Sequence, residues 1–139
     1  MIQLIVGEKG KGKTKHLLDK VNSAIKSAKG NIVYLDKNAK HMLELKNKIR
    51  LINASEYPIK SSEEFTGFIC GIVSQDHDLE EMYLDSFMDV AYIKNNDIEK
   101  ILEKLEEISE QFSVDFVISI SIDGSLVPES LKSKVIVSL

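Results

Sequence analysis

Eight residues near the start of the chain have the types and the spacing needed to hold a chain of phosphates. They run Gly-Glu-Lys-Gly-Lys-Gly-Lys-Thr, from Gly7 to Thr14, and fill every fixed position of the pattern G-x-x-x-x-G-K-[ST]. Glycines let backbone N–H groups approach phosphate oxygens without obstruction by side chains. A lysine at the position of Lys13 reaches the β- and γ-phosphates, and a hydroxyl at the position of Thr14 ligates Mg²⁺. We therefore expect a phosphate-binding loop here.

The segments on either side of this loop are those that would position it. Residues 2–6 form an apolar, largely β-branched run typical of a buried parallel strand. After Lys13, apolar residues recur at helical spacing up to residue 28. A helix starting near Lys13 would add free N–H groups and the positive end of its dipole to the phosphate site.

With this strand–loop–helix context, the chain resembles the P-loop NTPases through a complete Walker A motif. The resemblance covers eight residues and implies a superfamily and a ligand class, ATP with Mg²⁺, without naming a reaction. Its implied nucleotide-binding residues are Gly7, Glu8, Lys9, Gly10, Lys11, Gly12, Lys13 and Thr14.

A second acidic motif is expected at the end of another strand, to hold Mg²⁺ through water. Asp36, Asp85 and Asp123 each follow an apolar segment, and Met-Tyr-Leu-Asp at 82–85 best fits the Walker B pattern. We therefore predict Thr14 and Asp85 as metal ligands and Lys13 and Asp85 as catalytic residues. The alternative for Asp85 is a helix N-cap. Ser86 follows it, where many hydrolytic relatives carry Glu.

The rest of the chain alternates predicted strands and helices. This alternation indicates an α/β, three-layer P-loop fold in a single domain, 1–139, with a mostly parallel sheet of about five strands and helices on both faces. Strands are expected over 2–6, 32–36, 51–53, 79–84, 114–120 and 134–139. A short basic helix is expected over 38–48, a helix capped by Ser61 with Glu64 after it, and another capped by Asn96 or Asp97.

Composition narrows the class of partner. Residues 1–60 hold 13 of the 18 Lys and Arg residues but 5 of the 22 acids. Four of those lysines lie in or beside the phosphate loop and few aromatic residues accompany the rest, so we expect no nucleic-acid partner. A single cysteine excludes an internal disulfide. With no apolar run of about 18 residues and no signal peptide, we expect no membrane span and a cytoplasmic location.

Three functions stay open at this stage. The first is a slow Mg²⁺-dependent ATPase or nucleotide-dependent switch, aided by a protein partner or by Arg50 of a neighbouring subunit in a homo-oligomer. The second is a small-molecule kinase with an acceptor pocket over 53–78 and Asp36 or Asp89 as base. The third is a non-catalytic nucleotide-binding module.

ATP is favoured over GTP because no Asn-Lys-x-Asp motif stands at a strand end, although residues 94–97 come near it. Ser119 and Ser121 lie near the end of a later strand and could sense the γ-phosphate.

Overall fold

The computed structural model describes residues 1–94 and 97–139 and is built around one six-stranded parallel sheet. Its strands run in the spatial order β3-β2-β4-β5-β1-β6. Every neighbouring pair in this sheet is parallel. The strands are β1 (Ile2–Val6), β2 (Asn31–Asp36), β3 (Ile49–Asn53), β4 (Leu79–Leu84), β5 (Asp115–Ile120) and β6 (Val135–Ser138).

Helices cover both faces of the sheet, which confirms the predicted α/β three-layer fold. The helices are α1 (Lys13–Ala24), α2 (Ser62–Ser74), α3 (Phe87–Val90) and α4 (Ile98–Phe112). Helix α1 packs Leu17 and Val21 on one face, while Phe65, Phe87 and Leu105 from the other three helices pack on the opposite face. The strand count is six rather than about five.

The central strands are apolar on both sides because both of their faces are covered by helices. Within β1, for example, Leu4 and Val6 belong to one apolar cluster and Ile5 to the other. The edge strand β6 instead alternates half-buried and exposed residues. All six strands point the same way, so the loop after β1, Asp36 at the end of β2 and Asp85 after β4 lie together at the carboxyl ends of the strands. We call this end of the sheet the carboxyl edge.

The predicted helix over 38–48 is wrong. The structure has only a short 3₁₀ turn there, Met42–Glu44. Asn38 caps no helix, and its side-chain oxygen instead accepts a bond from the Lys40 N–H at 2.9 Å within a turn. The segment has no apolar stripe to pack, and Leu43 is 93% exposed. Without a buried face, a short helix gains too little to offset its ordering cost.

The helix starts were predicted with more success. The predicted cap of α2 is confirmed, since the Ser61 hydroxyl accepts a bond from the Glu64 N–H at 3.1 Å. Asp97 precedes α4 but makes no capping bond through its side chain, and the alternative cap, Asn96, lies outside the described residues. None of the helices that the structure describes has the length and apolar character needed to cross a membrane.

Candidate functional site

The glycine-rich loop connects β1 to α1 at the carboxyl edge. Gly10 and Gly12 have φ of 82° and 94°, a left-handed conformation that favours glycine. A Cβ at either position would meet nothing within 4 Å, so the requirement is for backbone conformation and not for space. Gly7 differs, because a Cβ there would lie 3.0 Å from the Leu139 Cβ. The loop is thus shaped as a turn with an open outer side.

Lys13 is the first residue of α1, and its side chain is buried although it carries a charge. Only 8% of the residue is exposed, and Nζ donates to the Glu8 carbonyl oxygen at 3.0 Å. The ammonium group therefore folds back over the loop. Burial lowers the pKa of Lys13, and the nearby carboxylate of Asp85 opposes that shift. A buried cation beside free helix N–H groups is suited to an anionic ligand.

Asp85 follows β4 and is held by three hydrogen-bond donors. The Ser119 hydroxyl and the Ser86 N–H both donate to Oδ1 at 2.8 Å, and the Tyr34 hydroxyl donates to Oδ2 at 2.7 Å. The residue is 3% exposed. Ser86 has φ of 54°, so the chain turns sharply directly after the carboxylate. The Asp85 side chain is thereby fixed in one orientation at the carboxyl edge.

Asp36 is a second buried carboxylate beside the first. It ends β2, the neighbour of β4, in a register that pairs Leu35 with Leu84. Its Oδ1 accepts a bond from the Lys37 N–H at 2.7 Å. Burial raises the pKa of Asp36, and the charge of Asp85 raises it further. Two close, buried carboxylates favour protonation of one or the binding of a cation.

These groups line one cavity of about 360 Å³. From the glycine-rich loop and the start of α1 come Lys9, Gly10, Gly12, Lys13 and Thr14, and from the strand ends come Asp36, Asp85, Ser119 and Ser121. Gly7, Glu8 and Lys11 are absent from this lining, although the Glu8 carbonyl oxygen accepts a bond from Lys13, which is part of it. The third acidic candidate, Asp123, is exposed and accepts a bond from the Ser125 N–H instead.

One wall of the cavity was not predicted. It consists of the segment after β2, which contributes Lys37, Asn38, Lys40 and His41. Its only signal in the sequence is its position directly after a strand that ends at the carboxyl edge. The other missed group is the Tyr34 hydroxyl, because a tyrosine in a predicted strand gives no sign of its hydrogen-bond partner.

Comparison with known proteins adds two solved structures. A KaiC-like protein from the hyperthermophilic archaeon Pyrococcus horikoshii OT3 superposes with a TM-score of 0.65 at 17% identity, over 95% of this chain and 67% of its own. The flagellar accessory protein FlaH from Methanocaldococcus jannaschii gives 0.59 at 12% identity, over 95% and 65%. The chain therefore spans about two thirds of each. No protein-family model matches it, and no curated protein sequence matches it.

The chain has a RecA-like P-loop fold. Its strand β5 lies between β1, which leads into the glycine-rich loop, and β4, which Asp85 directly follows. Ser119, near the end of β5, therefore stands between the loop and Asp85 and can contact that carboxylate. In this RecA-like fold the four polar groups that meet, Lys13, Asp36, Asp85 and Ser119, come from four different elements.

Proposed function

We propose that the protein binds ATP with Mg²⁺ in the cavity at the carboxyl edge and acts as a slow ATPase or nucleotide-dependent switch. One observation carries the proposal. Buried Lys13 at the helix start, Thr14 beside it and the fixed carboxylate of Asp85 line the same cavity, next to two glycines in left-handed conformation. These are the groups needed to hold a phosphate chain and its metal ion.

The donor set fits magnesium. Thr14 offers a hydroxyl oxygen and Asp85 a carboxylate oxygen, and Mg²⁺ prefers such hard ligands while keeping several waters. Among the residues that the structure describes, no group of three His, Cys, Asp or Glu side chains is arranged to hold a metal alone. Nucleotide phosphates and water would supply the remaining ligands of Mg²⁺. When bound, Mg²⁺ supplies charge neutralisation at the phosphates.

Asp36 is suited to orient the attacking water and accept its proton. Its raised pKa makes it a stronger base than an ordinary aspartate, whereas Asp85 already accepts bonds from three donors. Asp36 lies beside Asp85 in the cavity. It could therefore take the role that a Glu after Asp85 would have, which Ser86 cannot.

We expect ATP hydrolysis to be slow because Arg50, the one arginine of the sequence, does not line the cavity and cannot contact the phosphates of a nucleotide bound in the same chain. Arg50 lies on β3, and its Nη1 is 3.1 Å from Asp76 Oδ2. Asp76 precedes β4, so this pair lies at the amino-terminal end of the strands, opposite the cavity. Lys37, which lines the cavity, has its Nζ 3.2 Å from Asp89 Oδ2 and is a lysine rather than an arginine. An arginine that stabilises the negative charge of the transition state accelerates such reactions by about 10³–10⁵. Here a protein partner or a neighbouring subunit would supply it.

Turnover can be measured as steady-state hydrolysis over a range of protein concentration. Slow hydrolysis that rises more than in proportion to protein concentration supports activation between subunits. If Arg50 of a neighbour supplies the charge, Arg50→Ala removes that rise. Fast turnover that is proportional to protein concentration and unchanged in Arg50→Ala would contradict the proposal of a slow switch.

A second candidate function, transfer of the γ-phosphate to a small acceptor, is favoured by a neighbouring cavity. This cavity, of about 380 Å³, shares Lys37 and Asp89 with the first and is also lined by residues 54, 55 and 57–60, within the predicted acceptor region. Asp89 could then act as base toward an acceptor hydroxyl. ADP release that depends on an added hydroxyl compound would favour this kinase function over hydrolysis.

The test of nucleotide binding is thermal unfolding of wild type and Lys13→Ala. Mg²⁺ and ATP at a hundredfold excess over Kd should stabilise the wild type by about 3 kcal/mol, and Lys13→Ala should lose most of that gain. Lys15→Ala is the matched control, since its exposed ammonium pairs with Asp19 outside the cavity and the gain should persist.

The same unfolding measurement with GTP and with ADP shows whether adenine is preferred to guanine and whether the triphosphate is preferred to the diphosphate. The stretch at 94–97 cannot decide it, because Asn95 and Asn96 lie outside the described residues. Binding without hydrolysis or transfer would support the non-catalytic module instead. A wild-type unfolding temperature that does not change with ATP, ADP, GTP or Mg²⁺ would refute nucleotide binding altogether.

A further inference from the structure

Tyr34 is fully buried in the middle of the sheet, yet its hydroxyl reaches the functional site. The residue lies on β2 and belongs to the apolar cluster under α1. Its hydroxyl donates to Asp85 Oδ2 at 2.7 Å. A tyrosine hydroxyl has an ordinary pKa of about 10, so it keeps its proton at neutral pH and remains a donor.

The pattern of donors decides which part of the Asp85 carboxylate stays available. An ionised carboxylate has about four acceptor sites, two on each oxygen. Ser119 and Ser86 occupy both sites on Oδ1, and Tyr34 occupies one site on Oδ2. The remaining site is on Oδ2, the oxygen that Tyr34 holds. Any metal ion or metal-bound water must therefore share that oxygen with Tyr34.

We propose that Tyr34 is a positioning residue for Mg²⁺, directing one lone pair of Asp85 Oδ2 toward the cation from beneath the site. This inference rests on the proposed function, since it assumes that Asp85 serves the metal of a bound nucleotide. Groups that orient a metal ligand through a hydrogen bond commonly account for about 10- to 100-fold in metal affinity.

The neighbouring Tyr83 provides a matched control. The two rings stack on the same face of the sheet, with centroids 6.4 Å apart and planes 12° from parallel. Both side chains are fully buried, but the Tyr83 hydroxyl donates to Glu81 Oε1 at 3.1 Å. Replacing either tyrosine with Phe preserves the ring and its stacking and removes one hydroxyl.

The experiment measures the Mg²⁺ concentration for half-maximal ATP binding in wild type, Tyr34→Phe and Tyr83→Phe. It also measures ATP affinity in EDTA and metal-free thermal unfolding. Tyr34→Phe should raise the Mg²⁺ half-saturation by about 10- to 100-fold, with little change in ATP affinity in EDTA. Tyr83→Phe should leave the Mg²⁺ half-saturation within about twofold of wild type.

The outcomes separate this inference from the proposed function. If wild-type binding shows no dependence on Mg²⁺, the proposed metal site fails and this inference fails with it. If wild type depends on Mg²⁺ but Tyr34→Phe shifts only the unfolding temperature, Tyr34 is structural and this inference alone is overturned. Should Tyr34→Phe be unfolded at the assay temperature, the titration is repeated below its unfolding temperature. An Mg²⁺ half-saturation within about twofold of wild type there would overturn the positioning account.

Discussion

Both ends of the strands carry charged and polar groups, but among the described residues only the amino-terminal end, which we call the amino edge, pairs a buried carboxylate with an oppositely charged side chain. At the amino edge, Asp76 accepts bonds from Asn31 Nδ2 at 3.0 and 3.1 Å and from Arg50 at 3.1 Å. Glu80 there accepts a bond from the Lys29 N–H at 2.9 Å. Each of these acids faces donors, so this edge contributes to stability.

The carboxyl edge is arranged differently. Lys13 is buried with its ammonium group on a backbone carbonyl, and Asp36 is buried beside a second carboxylate. Burial opposes the charged form of both residues, as the shifts of their pKa values show. Buried charges without an oppositely charged partner are typical of functional sites, whereas ion-paired charges are typical of structural ones.

The largest effect expected from breaking the carboxyl edge comes from Asp85→Ala. Removal of the carboxylate should raise the Mg²⁺ concentration for half-maximal nucleotide binding by about 100-fold or abolish the dependence. Nucleotide affinity in EDTA should change little, because the contacts of the glycine-rich loop remain. Titrations with and without Mg²⁺ measure both quantities. If Asp36→Ala shows this behaviour and Asp85→Ala does not, the metal ligand has been assigned to the wrong carboxylate.

At the amino edge the largest effect should come from Asp76→Ala. It leaves the Asn31 amide and the Arg50 guanidinium without their acceptor, so the free energy of unfolding should fall by about 2 kcal/mol. Stabilisation by nucleotide should persist. Denaturant unfolding provides the measurement, and Asp78→Ala, an exposed acid two residues away, is the control. A loss of nucleotide binding in Asp76→Ala would erase the distinction between the edges.

A smaller effect of opposite sign is expected from Asp36→Asn. The folded-state pKa of Asp36 is raised above its ordinary 3.8. Its protonation therefore favours the fold below that pH, and this contribution is lost as pH rises through the folded pKa. In EDTA at pH 7, Asp36→Asn should unfold at a higher temperature than wild type, with the difference narrowing toward pH 4. A variant less stable than wild type at pH 7 would mean that Asp36 is satisfied by its surroundings.

The sequence was most informative where structure is local. The glycine-rich loop, the strand before it and the helix after it follow one another within residues 2–24, and short-range apolar spacing reveals them. Asp85 could be singled out because it ends an apolar strand. Capping by Ser61 is likewise a contact over three residues.

Contacts that depend on strand order could not be predicted. The bond from Ser119 to Asp85 spans 34 residues and that from Tyr34 spans 51. They exist only because β5 and β2 flank β4 in the sheet. Most of the wall formed by Lys37, Asn38, Lys40 and His41 falls in the segment 38–48, which was predicted as a short basic helix with Asn38 as a plausible cap. Its lack of a buried face decided otherwise.

The most direct test of a nucleotide site at the carboxyl edge is a structure with Mg²⁺ and a non-hydrolysable ATP analogue. Lys13 Nζ should leave the Glu8 carbonyl oxygen and contact the β- and γ-phosphates, with the metal between Thr14 and Asp85 and Asp36 facing the γ-phosphate. A nucleotide bound elsewhere, or a Lys13 side chain still bonded to Glu8 beside the bound analogue, would contradict the account.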